Sequence, residues 1–287
     1  MPSSSSSSAQ AARQAIADQL REIRERAGLT GRTMAASAGW PPQKISRIEH
    51  GARSISAADL IIWCQLCAVP TQRVEELMAQ RSAAAGMWTT MQRLHRAGLK
   101  QAQESVREMY RTVRHYRCYQ SAVVPGLLQT ADYTRAGLES VRDLLGITVD
   151  DVREAVAERM DRQRILRKPG KRFVFVVEEP VLHHRVCGRD THLEQLAHLA
   201  TAMRLPSVSV NIIPLEAERR LRWPCEGFVI SEGANEAKVT VEAVSGYLQI
   251  TNPSEIALYR REFDELLGQA VTGDPARRII EMVADRL

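Results

Sequence analysis

The sequence predicts an all-α domain of five short helices followed by an α+β domain with one small, mainly antiparallel sheet. Three observations lead there. From residue 10 to residue 82 apolar residues recur at helical spacing, punctuated by glycine and proline. Runs of β-branched and aromatic residues do not stand out before residue 172. The charge is also divided: 17 Lys and Arg against 9 Asp and Glu in the first 120 residues, but 22 against 25 in the remainder. A net +8 followed by a net −3 points to a polyanionic partner for the N-terminal part.

The elements follow in order. Residues 1–9 are serine-rich and are expected to form a disordered tail, since serines cannot repay their ordering entropy. Ile16, Leu20 and Ile23 mark a first helix that Gly28 ends. Thr30 caps a second helix, broken at Gly39. Pro41 and Pro42 can begin a third helix, which runs to His50 and stops at Gly51. Ser56 with Asp59 resembles a capping box for a fourth helix through Leu66, and Thr71 begins a fifth. Residues 10–82 thus form one domain, 83–98 a linker, and 99–287 the α+β domain. In the latter a basic helix is expected over 99–120, then helices near 129–140 and 148–167. A strand is expected at 172–177, helix over 179–203, and further strands at 208–213, 226–231, 237–243 and 247–250. Two closing helices follow.

The window from Gly31 to His50 meets the demands of a helix-turn-helix. Two helices that cross closely need a small residue at the crossing, and Ala35 stands fifth. The turn needs a residue tolerant of left-handed backbone, and Gly39 stands ninth. Branched apolar residues must anchor the second helix from below, and Ile45 and Ile48 stand fifteenth and eighteenth.

With its flanks, LREIRERAGLTGRTMAASAGWPPQKISRIEHGARSISAADLIIWCQLC, this stretch resembles the Xre (lambda-repressor-like) family over about residues 13–78. The resemblance implies a domain that binds double-stranded DNA as a homodimer, with the third helix in the major groove. Gln43 and Lys44 are then the first long polar residues at base edges: Gln pairs bidentately with adenine, and Lys donates to guanine. Ser46 and Arg47 lie further along, Arg47 within reach of base or phosphate. Thr30, Arg32 and Thr33 open the second helix, where phosphate is held, and Arg53 meets the DNA backbone after the recognition helix. The resemblance also implies that Glu49 pairs with a basic residue of the first helix, either Arg21 or Arg24. Pro42 departs from the family, which often has a polar residue there, so base reading at that point is lost or moved to Gln43.

The second half carries VVPGLLQTADYTRAGL (123–138), AVAERMDRQRIL (155–166), VFVVEEPVLHHRVCG (174–188) and LPSVSVNIIP (205–214). In that order these resemble a domain that follows Xre modules in actinobacterial, antitoxin-like transcriptional regulators. That resemblance implies partner binding, through a small protein encoded by a neighbouring gene, or dimerisation. The alternative is a one-component regulator whose second domain binds a small-molecule signal between sheet and helices. Glu158, Arg159, Arg162 and Gln163 share one helix and either satisfy one another or receive a partner. Tyr110, Tyr116, Tyr119 and Tyr133, interleaved with arginines, either stack on nucleobases or bury one face.

Other classes are not expected. No apolar run reaches the length of a membrane span, and the N-terminus lacks an apolar signal segment, so a cytoplasmic protein with reduced cysteines is anticipated. Cys64 and Cys67 lack a second pair at zinc spacing, and the histidines between 183 and 198 are not spaced for one helix face. Glu178 and Glu179 read as acids at a helix start. No metal, cofactor or catalytic constellation is expected, hence no enzyme.

Overall fold

The computed structural model describes residues 8–86, 88–219, 224–234 and 236–287. Residues 1–7, most of the expected tail, lie outside the described residues. The chain divides into two units, Met1–Thr89 and Thr90–Leu287.

The first unit contains five helices among its described residues: α1 (Ser8–Arg26), α2 (Gly31–Ala38), α3 (Pro42–Glu49), α4 (Ala57–Leu66) and α5 (Thr71–Gly86). Each short helix has a local reason to start where it does. The Thr30 side chain accepts from the Thr33 N–H, and that of Ser56 accepts from the Asp59 N–H. Pro42 occupies the first turn of α3. Gly39, at φ 67°, ends α2 in the left-handed region, where a side chain would be strained. Ile16 and Leu20 of α1, Met34 and Ala35 of α2, Ile45 and Ile48 of α3, and Leu60 and Trp63 of α4 close one core with Leu77 of α5. The Trp63 indole is fully buried and donates to the Leu20 carbonyl at 3.1 Å.

The second unit is built on a mixed eight-stranded sheet whose first strand straddles the division at Thr89. Its elements are β1 (Trp88–Thr90), α6 (Met91–Leu94), α7 (Leu99–Glu104), α8 (Arg107–Thr112), β2 (His115–Gln120), α9 (Ala131–Leu145), α10 (Val152–Arg162), β3 (Arg172–Glu178), α11 (Pro180–His183), α12 (Arg189–Ala202), β4 (Val208–Ile213), β5 (Phe228–Glu232), β6 (Ala237–Ala243), β7 (Gly246–Ile250), α13 (Pro253–Gly268), β8 (Val271–Thr272) and α14 (Asp274–Asp285). The strand order is β1-β7-β6-β5-β2-β3-β4-β8. Strands β2, β3 and β4 run parallel, while β5, β6 and β7 form an antiparallel meander joined to β2.

The small, mainly antiparallel sheet expected from the sequence is therefore corrected to a larger, mixed one. The cause is residues 115–120, which extend as β2 instead of continuing a basic helix. Arginines at 107, 111 and 114 suggest a helical period, but the helix α8 stops at Thr112. Tyr116, Cys118 and Tyr119 are then buried in a strand between β3 and β5. With β2 in place, α9 and α10 become the crossover from β2 to β3, and α11 and α12 that from β3 to β4. Such helical crossovers are what parallel pairing requires. The helix expected over 179–203 is also split, since α11 ends at His183 and α12 begins at Arg189. Alternation along β3 sends Phe173, Phe175 and Val177 into a core with Leu196 and Leu199 of α12 and Ile280 of α14. Val176 goes to the opposite core with Phe228, Ile230 and Phe263 of α13. A central strand buried on both faces reads as a continuous apolar run.

Candidate nucleic-acid interface

Helix α3 separates its residues sharply by face. Ile45, Ile48 and Glu49 are buried, whereas Gln43, Ser46, Arg47 and His50 are exposed. The exposed set is spaced i, i+3, i+4, i+7, so it forms one stripe along the helix. The chain brings Gln43, Ser46 and Arg47 together on that stripe. Thr30, Arg32 and Thr33 are also exposed, at the start of α2, where the two threonine hydroxyls lie 2.7 Å apart. Arg53 is exposed just after α3, its backbone N–H donating to the Arg47 carbonyl at 3.0 Å.

Lys44 is placed differently. Its Nζ donates to Asp59 Oδ1 at 2.7 Å and sits 3.9 Å from the centre of the Trp40 ring. Both members of the Lys44–Asp59 pair are largely covered. Burial pushes the Asp59 carboxyl up, but hydrogen bonds with Lys44 and Ser56 outweigh it and hold the group below the usual carboxylate range. Lys44, expected from the sequence as a guanine donor, is placed so that it ties α3 to α4. Asp59 and Trp40 are the side chains that the sequence reading missed. The signal lies in Asp59, whose backbone N–H is used in capping and whose carboxylate stays free to meet Lys44.

A second clamp holds α3 to α1. Arg24 grips Glu49 through two hydrogen bonds, Nε to Oε1 at 2.5 Å and Nη2 to Oε2 at 3.0 Å, and donates to the Leu29 carbonyl at 2.7 Å. Both residues are 8% exposed. The hydrogen bond with Glu49 raises the arginine pKa further. Of the two arginines open as partners, Arg24 takes the role; Arg21 pairs with Glu25 at 3.0 Å on the surface. Paired charges at both ends of α3 therefore orient its exposed stripe.

Three of the four interleaved tyrosines are closed off from base stacking. Tyr116, Tyr119 and Tyr133 are at most 5% exposed, inside the cores of the second unit. Glu178 belongs to the end of β3 and is buried against Arg219 Nη1 at 2.9 Å and the Tyr119 hydroxyl at 2.8 Å. An ion pair, not a helix dipole, accounts for it. All five cysteines are unpaired. Burial pushes the thiols of Cys118 and Cys225 up to about 12. Among the described residues no group of three or more His, Cys, Asp or Glu is placed to hold a metal ion, and no helix is long and apolar enough to cross a membrane.

Two family models match the chain. A helix-turn-helix domain covers residues 15–77, and the domain of unknown function DUF5753 covers residues 103–282. No curated protein matches it. A solved structure of TrmBL2, described as an archaeal chromatin protein with a novel mode of DNA binding, is 12% identical. That match covers 85% of this chain and 88% of the other with a TM-score of 0.29, too slight a likeness to carry an argument.

Proposed function

The chain belongs to the DUF5753 family, and from that premise we propose that it is a sequence-specific DNA-binding transcriptional regulator of the Xre, lambda-repressor-like kind. The first unit reads double-stranded DNA in the cytoplasm, as one half of a homodimer. The second, antitoxin-like unit tunes that activity through a small protein partner. No catalytic role is part of the proposal. The observation that carries it is the exposed stripe of α3 in a helix-turn-helix, clamped at both ends.

On this reading Gln43 is the first base reader, facing adenine, with Ser46 and Arg47 behind it in the major groove. Thr30, Arg32 and Thr33 hold phosphate at the start of α2, and Arg53 meets the backbone beyond α3. Lys44 contributes through position: it keeps α3 at the angle at which Gln43 can reach a base.

The test is selection of genomic fragments by the purified full chain at two salt concentrations. Enrichment of one motif is expected, with Gln43→Ala and Arg47→Ala each weakening motif binding by roughly 1–3 kcal/mol. Arg53→Ala should weaken all sequences alike and reduce the salt slope by about 1. Binding that keeps its motif after Gln43→Ala and Arg47→Ala are combined would overturn the proposal.

A further inference from the structure

Arginines that are largely covered elsewhere in the second unit meet carboxylates: Arg219 meets Glu178, and Arg117 meets Glu232. Arg159 and Arg162, three residues apart on α10 and both half-buried, form no ion pair at all among the described residues. Glu158, just before Arg159 and four residues before Arg162, is bound by Arg107 at 3.0 and 2.5 Å.

The two guanidiniums are instead held by neutral amides. Gln103 Oε1 accepts from Arg159 Nε at 3.2 Å and from Arg162 Nη2 at 2.9 Å, while Gln129 Oε1 accepts from Arg159 Nη1 at 2.8 Å. Gln103 and Gln129 are 8% and 7% exposed, so these acceptors are part of the folded framework. Amides orient a guanidinium but leave its charge uncancelled. Arg162 Nε is buried and donates to nothing, and its guanidinium carbon lies 5.0 Å from the centre of the Tyr110 ring. Gly126 is exposed beside this pair, its Cβ position 3.9 Å from Arg159 Nη1, so this side of the guanidinium lies next to the surface. The acid whose charge Arg159 feels is Glu242, which accepts from the Tyr247 hydroxyl at 3.1 Å and forms no ion pair with the arginines. Burial first, and then the neighbouring Arg162, lower the Arg159 pKa and outweigh the opposite pull of Tyr110, Tyr247 and Glu242.

Keeping two like charges together, partly desolvated and with a buried donor unused, is costly unless an anion completes the arrangement. A planar carboxylate matches the fork of a guanidinium, and an aromatic wall beside it suits a flat acid. We propose that Arg159 and Arg162 form a carboxylate-binding recess of the second unit, filled by a free organic acid or by a carboxylate of a partner chain. Only the consequence for DNA binding rests on the function proposed above; the binding itself does not.

The experiment titrates benzoate into the full chain at constant ionic strength, followed by calorimetry and thermal unfolding. Saturable binding with a rise in Tm is expected. Arg159→Gln and Arg162→Gln should each weaken it by at least about tenfold, since each removes charged donors. Arg164→Gln, at an exposed arginine paired with Asp161, should leave it unchanged. Arg162→Lys keeps the charge and loses the fork, so it serves if the glutamine variants fold poorly; circular dichroism reports that. A short N-acetylated peptide with a free C-terminal carboxylate, beside its amidated form, distinguishes the sources. Preference for the free peptide over benzoate assigns the site to a partner chain, and the reverse assigns it to a small acid. Either supports the recess. No saturable binding of either probe, or binding undiminished in Arg162→Gln and Arg162→Lys, would overturn it. Fragment selection on the same preparations separates this failure from failure of the proposed function.

Discussion

A lysine in the first turn of a recognition helix has two uses for its charge, and at position 44 the fold selects the inward one. Trp40 supplies an aromatic face and Asp59 a carboxylate, so Lys44 gains a cation–π contact and an ion pair at one site. Gln43, one residue earlier and so about 100° around the helix, stays exposed. The pair has a pH signature. The Asp59 carboxyl is held below its ordinary value of 3.8, so the charged form favours the folded state. Its contribution is complete above that value and is lost as pH falls through the lowered one. Urea midpoints followed from about pH 5 to about pH 2 should fall less steeply for Asp59→Asn than for the wild type. Equal slopes would show that the pair adds nothing to acid stability.

At the scale of the element, α3 has only eight residues and little stability of its own. It is held by Ile45 and Ile48 beneath and by charged clamps to α1 and α4. The Arg24–Glu49 pair is buried, so removing one member leaves the other charged and unpaired. Arg24→Ala is expected to cost about 3 kcal/mol of stability, and a double replacement by apolar residues of similar volume much less. Denaturant unfolding of the single and double variants measures both, and a small effect in the single variant would mean that the pair is dispensable. Strand β2 makes the complementary point. HYRCYQ follows arginines 107, 111 and 114 at helical intervals, and its own Tyr116 and Tyr119, three apart, are also compatible with a helix. The partners β3 and β5 decide for the strand, because only the extended form puts Tyr116 and Tyr119 into opposite cores.

For the whole molecule, the proposed homodimer sets a geometric expectation. Two copies place their recognition helices about one turn of DNA apart, roughly 34 Å, so the selected motif should be a palindrome of that spacing. Sedimentation on such a motif should give two chains per site. A single half-site bound by one chain with the same affinity would exclude the dimer.

The sequence by itself determined the first unit almost completely. Its helices are short and locally specified, by Thr30, Gly39, Pro42 and Ser56 at their ends and by Ile45 and Ile48 at helical spacing, so neighbouring residues carry the information. The exposed residues of α3 were legible for the same reason, as the remainder of an amphipathic period. What the tertiary structure alone decided depends on residues far apart in the chain. Lys44 is turned inward by Asp59, fifteen positions on, and Arg24 rather than Arg21 meets Glu49. The parallel core of the sheet pairs residues 115–120 with 172–177. The recess at Arg159 and Arg162 exists because Gln103 and Gln129 fold against α10. Periodicity records which face of an element is apolar, but not which partner that face will meet; only packing of distant segments settles that, and with it where each charge is cancelled.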